Sequence, residues 1–171
     1  IVRGLLPGVG GYSVPTERLT STIGGALFSI PAIKGVEFGM GFEAARKPGS
    51  QVHDPILLDR AKAEFTRASN NAGGLEGGMT TGMPLVVTAA MKPIPTLMQP
   101  LQTVDLDTLE VTKASKERSD VCAVPACAVV AEGEVAFAIA DAYMRKFGSD
   151  NMADIKAAIK AYKQRLNTVS R

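Results

Sequence analysis

The stretch LTSTIGGALFSIPAIKGVEFGM at residues 19–40 places a helical pattern directly before a strand pattern and decides the class of the fold. Apolar residues recur every three or four positions in residues 19–30, which predicts a helix that Pro31 ends. In residues 35–45 the apolar residues alternate with others instead, which predicts a half-buried strand interrupted by glycines. A helix that leads directly into a strand is the first unit of a mixed fold.

The middle of the chain predicts one more helix, a loop and two more strands. Residues 57–68 carry apolar side chains on one side of a helical projection and charged ones on the other, which predicts an amphipathic helix. Residues 69–79 (SNNAGGLEGGM) are too rich in glycine for a helix and predict a shaped loop. Residues 84–91 and 109–112 predict strands, and together with the first strand they indicate an antiparallel sheet.

Two helices are predicted near the end of the chain. Residues 126–147 form the longest apolar helical segment, and because it is apolar nearly all round we expect it to be buried. Residues 152–166 place Ile155, Ile159 and Tyr162 on one face and lysines on the other, which predicts a helix packed on the surface. The predicted class is therefore α+β, with helices packed against an antiparallel sheet.

The composition fits one soluble domain that spans residues 1–171. Apolar residues make up 46% of the chain and charged residues 21%, a balance unlike that of disordered chains. The formal net charge is only +2, so nucleic-acid binding gains no support. Even the most apolar stretch contains Glu132 and Glu134, so we expect no membrane span. The chain opens with Ile1 instead of Met, and we expect it to be internal to a longer protein.

Candidate metal ligands and reactive thiols are few. His53 is the single histidine, so neither a zinc site rich in histidine nor a paired-histidine acid/base site can be built from this chain alone. We interpret His53 as a surface loop residue and predict no metal site. Cys122 and Cys127 are interpreted as buried, inert thiols in a reduced, intracellular setting, with no disulfide between them.

Three short segments have both a ligand-binding interpretation and a plain structural one. The pairs Gly73–Gly74 and Gly77–Gly78 suit the close approach of a flat ring or an anion, but also a tight turn. The segment Lys92-Pro-Ile-Pro-Thr96 suits a phosphate or a polar ring edge, but also an edge strand protected by prolines. Residues 117–120 (ERSD) suit anion binding through the arginine, but also capping of the helix that follows.

Four strings in this order resemble motifs of the chorismate synthase family. They are residues 35–42 (GVEFGMGF), 69–78 (SNNAGGLEGG), 91–96 (MKPIPT) and 117–125 (ERSDVCAVP). The resemblance is to the C-terminal half of the enzyme, with the N-terminal half absent. It implies about half of a β-α-β sandwich in which helices lie between two antiparallel sheets.

The resemblance also implies a reaction and a cofactor. The family converts 5-enolpyruvylshikimate 3-phosphate to chorismate and phosphate by a 1,4-anti-elimination, the last step of the shikimate pathway of aromatic amino acid biosynthesis. It needs reduced FMN, which is thought to lend and recover an electron, and it is associated with NADP. The resemblance assigns proton handling near the flavin to Asp120 and the flavin contacts to Pro31, Ala32, Gly77, Lys92, Pro93, Ile94, Pro95, Thr96 and Arg118.

The same resemblance predicts that this chain does not turn over substrate. In the family, the N-terminal half supplies two acid/base histidines and most of the arginines that bind the substrate phosphate. The family enzyme is a cytoplasmic homotetramer, or a plastid one in plants and algae, and half of it should expose apolar surface. The alternative is a folding or oligomerisation module that does not bind flavin, and a third possibility is an anion-binding domain that uses residues 73–78 and Lys92.

Overall fold

The computed structural model describes residues 1–60, 64–116 and 122–169. An N-terminal loop leads through a short 3-10 helix, Pro15–Glu17, to helix α1, Leu19–Ser29. The helix predicted over residues 19–30 is confirmed, and it ends before Pro31 because proline disfavours a helical conformation in the preceding residue. The buried face of α1 consists of Leu19, Ile23, Gly24 and Leu27.

The described residues contain eight short strands, which pair as four separate two-stranded antiparallel sheets. The pairs are β1 with β6, β2 with β3, β4 with β5, and β7 with β8, so one continuous sheet does not form. The α+β class is confirmed, with the sheet divided because three of the four pairs are local hairpins. The strands are β1 (Ile33–Phe38), β2 (Ile56–Asp59), β3 (Glu64–Arg67), β4 (Leu75–Glu76), β5 (Met79–Thr80), β6 (Val87–Met91), β7 (Gln102–Val104) and β8 (Val111–Lys113).

The first strand is shorter than its apolar alternation indicates. β1 pairs with β6 from Ile33 opposite Met91 to Phe38 opposite Val87. Beyond Phe38 the glycines at positions 39 and 41 have φ values of 56° and 53°, which turn the chain into a 3-10 helix over Gly41–Arg46. The strand predicted over residues 35–45 is therefore correct only in its first part.

The amphipathic helix predicted over residues 57–68 is wrong. Its first residues belong to β2 and its last to β3, and Leu58 lies opposite Phe65 across this hairpin. These two side chains are 48% and 58% exposed, so they do not form a helical face packed on a core. A short apolar run does not distinguish a helix from a hairpin, since partners across a hairpin are also several residues apart.

Helices α2, Val124–Phe147, and α3, Met152–Val169, complete the fold. α2 packs against α1, and α3 packs against α2 with Ile155, Ile159 and Tyr162 against the core, as the sequence predicts. The Tyr162 hydroxyl donates to the Pro7 carbonyl at 2.8 Å and thereby ties the N-terminal loop to α3. The central buried side chains are Val9, Leu19, Ile23, Leu27 and Leu85, and each stabilises the fold by about 1.5–3 kcal/mol.

One side of α2 is not covered, so the expectation that this helix is buried all round is wrong. Val129 and Phe137 are 70% and 77% exposed, whereas Val135 and Ile139 on the opposite side are buried. The core reaches only one side of this long helix, which leaves the other side exposed in the part of the chain that the structure describes. No helix in the described ranges is long and apolar enough to cross a membrane.

The expectation for the two cysteines is only partly met. Cys122 is exposed, and Cys127 is half-buried on α2; both thiols are free. Cys122 precedes the helix and does not reach the core, so its interpretation as a buried thiol is wrong.

Candidate functional site

The turn after α1 brings two of the predicted flavin segments together. Pro31 and Ala32 occupy the middle of this turn, which the Ile33 N–H closes by donating to the Ile30 carbonyl at 3.2 Å. Ala32 has a φ of 71°, a left-handed value that few residues other than glycine adopt. Its carbonyl accepts a hydrogen bond from the Lys92 N–H at 2.8 Å. The backbone of Pro31-Ala32 is therefore held against the start of the segment from Lys92 to Thr96.

That second segment leaves β6 as an irregular stretch of stiff backbone. Pro93 and Pro95 remove two backbone donors and fix their own φ angles. Lys92 is exposed and Thr96 is partly buried. No carboxylate among the described residues forms an ion pair with Lys92. The segment therefore offers an ammonium group and a hydroxyl group for binding a phosphate or a polar ring edge.

The loop over residues 69–79, called the glycine loop below, offers one position to a ligand and uses its other glycines for packing. All four have positive φ, but a Cβ on Gly73 would overlap the backbone nitrogen of Gly39, and one on Gly74 or Gly78 would overlap carbonyl oxygens. A Cβ on Gly77 would meet no atom within 4 Å. Gly77 and Gly78 also form the two-residue turn of the β4–β5 hairpin, which favours positive φ at both positions. The tight-turn and ligand-approach interpretations are thus compatible at Gly77.

The contact between Gly39 and Gly73 joins two of the four family-like strings. The Gly39 N–H donates to the Val86 carbonyl at 3.0 Å, and the Val86 N–H donates to the Gly73 carbonyl at 3.0 Å. The Met40 N–H donates to the Asn71 carbonyl at 2.7 Å. Residues 35–42 and 69–78 therefore form one interlocked piece of backbone.

Asp54 is a buried acid that the sequence reasoning missed. Its carboxylate accepts hydrogen bonds from the Ser69 hydroxyl at 2.5 Å, from the Asn71 N–H at 2.8 Å and from the Ala72 N–H at 2.9 Å. Burial by itself would raise the pKa of Asp54, but these hydrogen bonds and the nearby charge of Arg67 outweigh it and hold the pKa below its usual value. The partners lie far from Asp54 in sequence, so no local pattern could have revealed the cluster.

The glycine loop and the Lys92 segment lie at opposite ends of α1. The Leu19 N–H, at the start of this helix, donates to the Gly78 carbonyl at 2.9 Å. Ala32 and Lys92 lie beyond the other end of the helix, whose 11 residues span about 16 Å. A ligand that contacts both regions must therefore be elongated.

A large cavity lies beside the segment from Lys92 to Thr96. It is an apolar groove of about 770 Å³ between α2, β6 and the first residues of the chain. Met91, the residue before Lys92, and Cys127 of α2 both line it. We call this feature the α2 groove; its walls also include Val2, Leu27, Val87, Ala131 and Ile139.

Two residues predicted for the flavin site, Arg118 and Asp120, lie outside the described residues. His53 is exposed in the loop before β2, close to Gly49, which agrees with its interpretation as a surface residue. No group of three potential metal ligands occurs among the described residues.

Comparison with known proteins identifies the family. The family model described as chorismate synthase matches residues 1–144. The chain belongs to the chorismate synthase family. Its relatives in this family include chorismate synthase 2 of Bacillus cereus (strain ATCC 14579), 57% identical over 159 residues, and chorismate synthase of Bacillus pumilus (strain SAFR-032), 55% identical over 164 residues.

A solved structure agrees with this assignment of the fold. A protein described as "Crystal Structure of Chorismate Synthase" matches 97% of this chain with a TM-score of 0.79 and 40% sequence identity. The match covers 42% of that protein, and the two Bacillus matches cover 40% and 42% of those chorismate synthases. The chain thus spans about two fifths of the length of the chorismate synthases it matches.

Proposed function

We propose that this chain supplies flavin-binding segments to a chorismate synthase, a lyase of aromatic amino acid biosynthesis that converts 5-enolpyruvylshikimate 3-phosphate to chorismate and phosphate. The observation that carries the proposal is the hydrogen bond between the Ala32 carbonyl and the Lys92 N–H, which joins two segments expected to contact reduced FMN. Gly77, with open space at its Cα, supports a third contact. The elongated shape of FMN, with a flat ring and a phosphate far apart, suits contacts near both ends of α1.

Each described residue has a defined part in this proposal. The Lys92 ammonium binds the phosphate or a polar edge of the ring, and the Thr96 hydroxyl donates or accepts a hydrogen bond beside it. Pro93 and Pro95 keep the backbone around Ile94 in one conformation, which lowers the entropy lost on binding. Reduced FMN, when bound, supplies the transient electron that the elimination needs.

Turnover needs more groups than this chain provides. Its one histidine, His53, lies exposed in a loop, so the chain cannot place two acid/base histidines around a substrate. We propose that Arg118 contacts the flavin and that Asp120 handles a proton near it. We further propose that the chain alone forms no chorismate, and that the complete site belongs to a homotetrameric enzyme.

A flavin titration tests the binding half of the proposal. FMN fluorescence under oxidising conditions and FMN absorbance under anaerobic reducing conditions are followed while wild-type chain, Lys92→Ala and Lys156→Ala are added. Lys156 is an exposed lysine on α3 and serves as the matched control. We expect Lys92→Ala to bind at least tenfold more weakly than the other two, because a charged hydrogen bond to phosphate contributes about 1.5–3 kcal/mol. Absence of binding by the wild-type chain at high micromolar FMN would favour the folding or oligomerisation module.

A complementation assay tests the turnover half. Chorismate is measured with substrate and reduced FMN for the chain alone, and again after co-expression with the part of the Bacillus pumilus chorismate synthase that the match does not cover. We expect chorismate only in the second case. Chorismate formed by the purified chain alone would contradict the proposed inactivity.

A further inference from the structure

The cluster around Asp54 fixes the first part of the glycine loop. Both carboxylate oxygens are used: Oδ1 accepts from Ser69 and Asn71, and Oδ2 accepts from Ala72. The Asn71 side-chain amide donates a hydrogen bond to the Val52 carbonyl at 3.0 Å. Asp54 is only 8% exposed, so water cannot readily replace these partners.

A second link connects the same segment to the far end of the loop. Arg67 donates through Nη1 to the Asp54 carbonyl at 2.7 Å. The same guanidinium binds both carboxylate oxygens of Glu76, at 3.0 Å and 2.7 Å. Glu76 directly precedes Gly77, so the open glycine is held at a fixed distance from Asp54. The loop is therefore attached on both sides of Gly73 and Gly74.

We propose that Asp54 is a positioning residue for flavin binding, which it supports by holding the backbone of the glycine loop so that Gly77 stays open to the ligand. This inference rests on the proposed flavin-binding function. It assigns Asp54 no contact with the flavin; Asp54 acts through the loop backbone and, together with Arg67 and Glu76, sets the population of the binding-competent loop.

The expected effect follows from the cost of ordering a loop. Ordering a loop backbone on binding costs conformational entropy, and a loop that is ordered only part of the time binds more weakly in proportion. If Asp54→Asn leaves the backbone of about one loop residue without a fixed conformation, FMN affinity falls about tenfold, which corresponds to about 1.4 kcal/mol. The asparagine NH2 group would also replace one of the two accepting oxygens and face the N–H of Asn71 or that of Ala72, neither of which can accept a hydrogen bond.

A matched control exists elsewhere in the chain. Asp105 accepts hydrogen bonds from the Asp107 and Thr108 N–H groups, both at 2.9 Å, in the turn between β7 and β8. Asp105→Asn therefore neutralises a carboxylate that also accepts backbone N–H groups, in a loop that carries none of the predicted flavin contacts. It should leave FMN affinity unchanged.

The experiment measures FMN affinity for wild type, Asp54→Asn, Ser69→Ala and Asp105→Asn, with the thermal midpoint of each variant recorded beside it. We expect a loss of about tenfold for Asp54→Asn and of a few-fold for Ser69→Ala. Affinity is also followed from about pH 7 down to about pH 3, because a pKa held below its usual value keeps Asp54 ionised at higher pH. In wild type it should fall at acidic pH more steeply than in Asp54→Asn, since protonation of Asp54 weakens its bonds to the loop. The charged groups near Asp54 are Arg67 and Glu76, with His53 adjacent in the chain.

The outcomes separate this inference from the function on which it rests. If wild type binds FMN and a folded Asp54→Asn binds it with equal affinity, the positioning role is overturned and the proposed function is left intact. Loss of affinity in Asp105→Asn as large as in Asp54→Asn also overturns it, because the effect would then be general destabilisation. No FMN binding by wild type overturns both. If Asp54→Asn does not fold, Ser69→Ala decides, and an unchanged affinity in that variant refutes the inference.

Discussion

Replacing Gly73 by alanine should destabilise the chain far more than the same replacement at Gly77. Both glycines have similar left-handed backbones, with φ values of 65° and 60°. An alanine in this region costs about 1–2 kcal/mol relative to glycine. The two sites differ in their surroundings: a Cβ on Gly73 would overlap the Gly39 nitrogen and lie 2.9 Å from the Val86 carbonyl oxygen, whereas a Cβ on Gly77 meets nothing within 4 Å.

The overlap at Gly73 can be relieved only by moving backbone. Such a shift would weaken two hydrogen bonds, from Val86 N–H to the Gly73 carbonyl and from Gly39 N–H to the Val86 carbonyl, each worth about 1 kcal/mol. The free energy of unfolding should therefore fall by about 3–4 kcal/mol for Gly73→Ala and by about 1–2 kcal/mol for Gly77→Ala. For a chain of this size these losses correspond to drops in thermal midpoint of about 6–16 °C and 2–8 °C.

Circular dichroism at 222 nm, with urea and thermal unfolding of both variants, measures the difference. Flavin affinity should fall more for Gly77→Ala than for Gly73→Ala, since a methyl group on Gly77 fills the space that we assign to the ligand. Equal destabilisation by the two variants would refute the reasoning, because it would mean that backbone conformation, not contact between the two strings, requires Gly73.

Three other changes should give distinct results. Ala32→Gly should raise the free energy of unfolding by about 0.5–1 kcal/mol in a urea titration, because alanine is strained at this φ of 71°; an unchanged or lower value would argue against strain. Phe137→Ser should change the thermal midpoint little, since the Phe137 side chain is 77% exposed. It should reduce self-association measured by sedimentation velocity, because it removes apolar surface from the exposed side of α2; Lys156→Ser is the control. Asp54→Asn should flatten the fall in stability at acidic pH. A depressed pKa makes the Asp54 contribution fully present above the unfolded value of about 3.9 and lost as the pH falls through the lower folded value; parallel wild-type and mutant curves between about pH 5 and pH 2 would contradict this.

The helices were predictable because each has a regular apolar face. α1 and α3 turn these faces to the core, so a period of three to four residues describes them well. The β2–β3 hairpin was not predictable, because the sequence separation of Leu58 and Phe65 also fits one face of a helix. In the structure the two residues lie opposite each other on paired strands. The sequence pattern also could not show that Phe137 is exposed, since burial of a helical side chain depends on which other elements pack against it.

The candidate site could be predicted only as separate segments. The resemblance to the family supplied Pro31, Ala32, Gly77 and the residues from Lys92 to Thr96, but not their arrangement. The hydrogen bond from the Lys92 N–H to the Ala32 carbonyl depends on the register of β1 and β6, which no single-sequence pattern specifies. Asp54 carries no motif at all and is recognisable only once its hydrogen-bond partners are known.

The division of the strands into four pairs has a consequence for the order of folding. The β2–β3, β4–β5 and β7–β8 hairpins close short loops, whereas β1 can pair with β6 only after the whole segment from Gly39 to Val86 has been brought back. Loop closure over such a distance is slow, and local hairpins form within microseconds. We expect the β1–β6 pairing, and with it the meeting of Ala32 and Lys92, to be a late event whose rate falls when β6 is mutated.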